Sequence, residues 1–299
     1  MGAFKSACLA LTAILAVPPA LAQEKTKGAS DGSEIVVKGD RDRDRQVRRF
    51  VEALTPSEPY RGQIGRFELA VCPAVAGLRP EQNEAVAERM RKVAEAAGMT
   101  VGTPGKCRPN ALVLIAENKD ELVRELRRKQ PAFFYDGARR EIYIPKQTGP
   151  AIAWQVEGRT ASEGRNLGMD EFDSYYVVET PLASERIRPS THPHFIASVV
   201  VIELKALEGL TTTQLADYAA MRVFARTDPS RLRASGPRTI LTALEAPMDA
   251  EVPITLTELD LSFLKGLYAS KVGNYAPRQR REIELRVRKA AEKAESRPN

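Results

Sequence analysis

The chain has 299 residues, is 43% apolar and 28% charged, and carries a formal net charge of +6. That length and apolar share suffice for one large domain or two small ones with a sizeable core. Basic and acidic residues are mixed along almost the whole chain, which argues for solubility and against nucleic-acid binding through a basic patch.

The first 22 residues read as a secretory signal peptide. Lys5 gives a positive start, Ala7 to Val17 is apolar, Pro18-Pro19 breaks the run, and Ala20-Leu21-Ala22 fits a small-x-small cleavage site. The run is too short to anchor in a bilayer, and no later stretch approaches a transmembrane length. The expected product is periplasmic or secreted. Cys8 lies at the very start of the apolar run, after Lys5-Ser6-Ala7, and has no lipobox, so it leaves with the signal peptide. Cys72 and Cys107 then form an even pair, most simply one disulfide in an oxidising compartment. It would close a loop of about 35 residues and stabilise by roughly 3–4 kcal/mol.

Residues 23–45 open as a polar, flexible leader, interrupted by the β-prone island Glu34-Ile35-Val36-Val37-Lys38-Gly39. Residues 46–276 are expected to form a single α+β domain, and 277–299 a basic terminal helix or tail. Val47, Phe50, Val51 and Leu54 have helical spacing. Phe67 to Val71 reads as a strand running into Cys72. Arg79-Pro80-Glu81 opens a helix to Ala97 with Val86, Met90, Val93 and Ala97 on one face, and Gly98 stops it. Ala111 to Ala116 is continuously apolar, the pattern of a strand buried on both faces. These elements make a β-α-β unit with a disulfide staple. A helix over Lys119 to Lys129 follows, with Leu122, Val123 and Leu126 inward. Ile142 to Ile144 and Ile152 to Val156 read as short strands, Glu157 to Asp170 as a loop, and Tyr175 to Thr180 with Ser184 to Arg188 as hairpin arms. Phe195 to Leu204 is the strongest strand. Thr211 to Thr213 caps a helix to Ala225, Thr239 to Leu244 is a short element, and Thr257 caps a helix from Glu258 to Tyr268. The result is a mixed sheet with a β-α-β unit and C-terminal helices.

The chemistry-bearing residues are few. His192-Pro193-His194 holds both histidines and is the metal-ligand candidate, although Pro193 favours a loop and no third ligand is indicated. No G-x-S-x-G elbow or phosphate-binding loop occurs, and no cofactor is implied. Glu203, Asp217 and the Asp170-Glu171-Asp173 group are carboxylates most simply read as solvating or capping. Phe133-Phe134-Tyr135 and Tyr175-Tyr176, a run of three aromatics and a pair, suit a cleft or ordinary burial. The segment from Gln279 to Lys293 is a basic amphipathic helix, better read as solvated or partly docked than as membrane-bound.

The element order resembles that of zincin metallopeptidases, whose motif helix carries H-E-x-x-H. Here the equivalent helix reads Gln214-Leu215-Ala216-Asp217-Tyr218-Ala219-Ala220-Met221 and has no histidine. From Val199 to Tyr268, the chain resembles a group of poorly characterised secreted proteobacterial proteins with a zincin-like layout. In that group a Leu-Thr-x-x-Asp … Leu-Tyr helix, here Leu256-Thr257-Glu258-Leu259-Asp260 to Leu267-Tyr268, follows the degenerate motif helix. The resemblance implies a scaffold without the ligands for metal-assisted hydrolysis. Separately, Glu34, Ile35, Val36 and Val37 resemble the leader of TonB-dependent receptors of alphaproteobacteria, which implies strand addition to a periplasmic partner. The expectation is an exported, non-catalytic scaffold that binds an envelope protein or polymer. The alternatives are a hydrolase using His192 and His194, or an accessory of TonB-linked uptake.

Overall fold

The computed structural model describes residues 42–56, 62–144, 147–161, 189–232, 237–247 and 250–295. The signal peptide, the Glu34–Val37 island, the Asp170–Asp173 carboxylates, Tyr175-Tyr176 and both expected hairpin arms lie outside these residues. The chain divides into Met1–Asp42 and Arg43–Asn299, and the elements below build the second unit.

Its centre is a four-stranded sheet of strands β1 (Pro73–Ala76), β2 (Ala111–Ala116), β3 (Ala151–Ala161) and β4 (Thr191–Glu203), in spatial order β1-β2-β4-β3. β1, β2 and β4 run parallel and β3 is antiparallel to β4. Helix α1 covers residues 42–54. α2 (Pro80–Ala96) connects β1 to β2, and α3 (Lys119–Lys129) follows β2. α4 (Thr212–Phe224), α5 (Glu258–Ala269) and α6 (Ala276–Glu295) complete the unit. The class is α+β with a mixed sheet.

The apolar run of β2 supplies both faces of the sheet, as its pattern predicts. Ala111, Val113 and Ile115 join the main core with Val86, Met90 and Val93 of α2 and most of α4. Leu112 and Leu114 pack on the opposite face with Leu122, Val123 and Leu126 of α3 and with Trp154. Cys72 and Cys107 are disulfide-bonded, with Cα atoms 6.1 Å apart. They join the approaches to β1 and β2. Asn110 braces the same place, accepting from the Cys72 N–H at 2.8 Å and donating to the Ala70 carbonyl at 3.1 Å.

Several boundaries differ from the sequence reading. The strand expected at Phe67–Val71 begins instead at Pro73, because β2 offers its parallel ladder only from Ala111, opposite Pro73. Residues 66–71 make only isolated bridges, Arg66 to His194 and Val71 to Val101. Ile142 to Ile144 is not a strand; Tyr143 is 85% exposed. β3 continues from Ala151 to Ala161 and so takes in the first part of the expected loop. β4 correspondingly starts at Thr191, since its register with β3 holds through Ala161 opposite Thr191. Phe134 is fully buried and stacks on Trp154 at 5.2 Å between ring centroids, so that aromatic run is partly core.

The basic terminal helix is docked. Ile283 and Val287 of α6 enter the main core, whereas Leu285 remains exposed. The Ile64 N–H donates to Gln279 Oε1 at 2.8 Å, and the Arg280 guanidinium donates to the Thr55 carbonyl at 2.8 Å. The compact body therefore extends past residue 276.

Candidate functional site

The sequence places His192 and His194 in a loop; the structure places them in β4, both buried. Two residues apart on a strand, they belong to the same face. Pro193 is tolerated between them because β2 flanks β4 only from Ser198 onward, leaving this end outside the central ladder. His192 Nε2 lies 2.7 Å from Glu68 Oε1. Its Nδ1 is buried without a hydrogen-bond partner among the described residues. An ionised carboxylate only accepts, so Nε2 is the donor to Glu68. His194 Nδ1 is 2.8 Å from Thr160 Oγ1. Its ring covers Gly158, where an added Cβ would stand 2.8 Å from Cε1 and Nε2.

Burial lowers the His194 pKa despite the opposing pull of Glu68, with a smaller push in the same direction from His192. For Glu68, burial acts upward, but the His192 hydrogen bond and the nearby charges together hold its pKa below the ordinary value. Arg66 closes one side of this cavity, donating to the Ser270 carbonyl at 2.9 Å and to the Leu267 carbonyl, with its guanidinium over the Tyr268 ring. The cavity has a volume of about 550 Å³ and is also lined by Thr160 and Met99. Glu68 and Thr160 engage one nitrogen of each imidazole. Among the described residues, no three His, Cys, Asp or Glu side chains come together as a metal site.

Of the carboxylates singled out in the sequence, the described ones, Asp217 and Glu203, are engaged in hydrogen bonds and ion pairs. Asp217, fully buried on α4, accepts from Arg89 Nε at 2.7 Å and Nη2 at 3.0 Å, from Thr255 Oγ1 at 2.7 Å and from the Leu256 N–H at 2.7 Å. Glu203 pairs with Lys119 at 3.2 Å and Lys205 at 3.3 Å. Asp260, the acid of the Leu-Thr-x-x-Asp pattern, is the third helical residue of α5 and forms a capping box with Thr257. It also accepts from the Ile240 N–H at 2.9 Å and from Thr239 Oγ1. Burial raises its pKa against these hydrogen bonds.

A second cavity, of about 650 Å³, opens beside the outer edge of β3 and was not evident from the sequence. Gln147 bridges that edge: its amide donates to the Ala153 carbonyl at 3.0 Å and accepts from the Ala153 N–H at 3.1 Å, as a neighbouring strand would. Its Oε1 also accepts from Arg222 Nη2 at 2.7 Å. Arg222, only 3% exposed, donates through Nη1 to the Tyr218 hydroxyl at 3.2 Å, while its Nε is buried and unpartnered among the described residues. Arg226 pairs with Glu157 at 2.6 Å. The available signal was a lone arginine in the apolar run Ala219-Ala220-Met221-Arg222-Val223-Phe224, a position that usually requires a reason. The other was the chain's single tryptophan, Trp154, which lines the same cavity.

The sequence matches no protein-family model, and comparison with curated proteins and with solved structures finds no match.

Proposed function

We propose that this chain is an exported, non-catalytic binding protein on a zincin-like scaffold, acting on an envelope protein, polymer or component. The observation that carries the reading is the state of Asp217. It is the acidic side chain of the helix that would bear the ligands and base in a zincin. Here both its oxygens are occupied by Arg89, Thr255 and the Leu256 N–H, which join α4 to α2 and to the approach of α5. That helix acts as a tie between elements. Export is supported by the signal-like first 22 residues and by the disulfide, which persists in oxidising compartments. No described helix is long and apolar enough to cross a membrane.

A specific observation favours one competing reading. The Glu68–His192 pair and the His194–Thr160 contact bring an acid, two imidazoles and a hydroxyl to one cavity, a set suited to hydrolysis. One experiment separates the two. The purified protein, with and without added zinc, is incubated with casein and with peptidoglycan. The binding reading expects turnover no higher than that of the His192→Ala and His194→Ala variants. Turnover lost in either variant while the melting temperature holds would establish the hydrolase instead.

A further inference from the structure

We propose that the cavity beside the β3 edge binds a small molecule carrying one carboxylate on an apolar body, with Arg222 as the carboxylate's partner. The inference rests on the binding reading above and names its ligand class.

Arg222 carries the argument. A guanidinium is always charged, and buried charges are normally paired with an opposite charge. This one is 3% exposed and meets only neutral acceptors, the Gln147 amide oxygen and the Tyr218 hydroxyl. Its Nε has no partner among the described residues. Gln147 and Tyr218 fix its orientation, so a ligand would meet a prearranged donor and little ordering entropy would be lost. Arg226 lines the same wall but already pairs with Glu157.

The remaining lining selects the ligand. Asp228 and Glu245 also border the cavity. Asp228 is engaged by the N–H and hydroxyl of Ser230, and Glu245 makes no ion pair with a described residue. These two carboxylates leave the lining with no surplus of positive charge, so a dianion such as a phosphate monoester is opposed more strongly than a monoanion held by Arg222. Ile142 and Pro56 supply apolar wall for the rest of the molecule. About 650 Å³ is within the range of small-molecule sites.

The ring of Trp154, the only tryptophan, is buried against Phe134 on the face opposite α4, so binding is read by calorimetry. The heat of binding is followed while the purified protein is titrated with benzoate, benzamide or phenyl phosphate. The expected result is a saturable change with benzoate, at least about tenfold weaker binding of the other two, and a similar loss for benzoate in Arg222→Gln. No saturable response to benzoate, or an equal response to benzamide or phenyl phosphate, overturns the proposal. A folded Arg222→Gln protein that binds benzoate normally also overturns it. Should that variant not fold by near-ultraviolet circular dichroism, the selectivity series on the native protein decides alone. Failure here leaves the scaffold reading standing; that reading fails only on histidine-dependent turnover.

Discussion

Arg89 of α2 and Asp217 of α4 meet in a two-point ion pair, Nε to Oδ1 at 2.7 Å and Nη2 to Oδ2 at 3.0 Å, although 128 residues separate them in sequence. The Asp217 hydrogen bond raises the Arg89 pKa despite the opposing effect of burial. Asp217 is fully buried, so removing its carboxylate leaves Arg89, Thr255 and the Leu256 N–H without their acceptor. Asp217→Ala should cost about 3–5 kcal/mol, read from the urea midpoint at unchanged slope. A loss below about 1 kcal/mol would contradict the role assigned to α4.

The His194 environment predicts an acid-sensitive fold. Burial depresses its folded pKa below the ordinary 6.5. Such a group contributes stability above its unfolded pKa and loses that contribution as pH falls through the folded value. Glu68, also depressed, acts in the same sense below its ordinary 4.5. The melting temperature should therefore hold above pH 7 and decline below about 6.5. His194→Gln should flatten the upper part of the decline and leave the part below pH 4.5. An identical profile in the variant would remove His194 from this account.

Gly158 offers a steric check on the same site. A methyl group there would stand 2.8 Å from the His194 ring and 3.0 Å from Ile196 Cδ1. Gly158→Ala should displace the imidazole from Thr160 and cost about 1–3 kcal/mol. The His194 ring resonances, followed by NMR, should shift and titrate closer to the ordinary value. Unmoved resonances would mean that the ring has other room.

The docking of α6 predicts a contrast between neighbours in sequence. Ile283 is fully buried and Leu285 is 40% exposed. Ile283→Ala should cost about 2–5 kcal/mol, and Leu285→Ala should stay within about 0.5 kcal/mol. Equal small effects in denaturant titrations would indicate a helix lying loosely on the surface.

The most legible parts of the fold were those whose signal is local. Ala111–Ala116 has an apolar period that only a strand covered on both faces satisfies. α2 has its proline start and glycine stop, and α5 has its capping box. Cys72 and Cys107, the even pair that remains once Cys8 is set aside, are bonded as expected. What failed to show was long-range. Nothing near Phe67 says that β2 begins its ladder opposite Pro73, and Pro193 obscured a strand held by β3. The two histidines were conspicuous as residue types, but Glu68 and Thr160 reach them through pairings no short window contains. Arg222 was visible as an oddity in an apolar helix, yet its meaning depends on Gln147, 75 residues away.

The seating of α6 has a consequence for how this chain acquires its structure. Thr55 waits for Arg280 across 225 residues, Ile64 for Gln279 across 215, and Asp44 for Arg288 across 244. Contacts of such separation slow folding, because the chain entropy they consume is lost before they form. Val47, Phe50 and Leu54 share the main core with Ile283 and Val287 of the helix over Ala276–Glu295. Until those contacts form, the core is incomplete and more open to proteases and to its own neighbours.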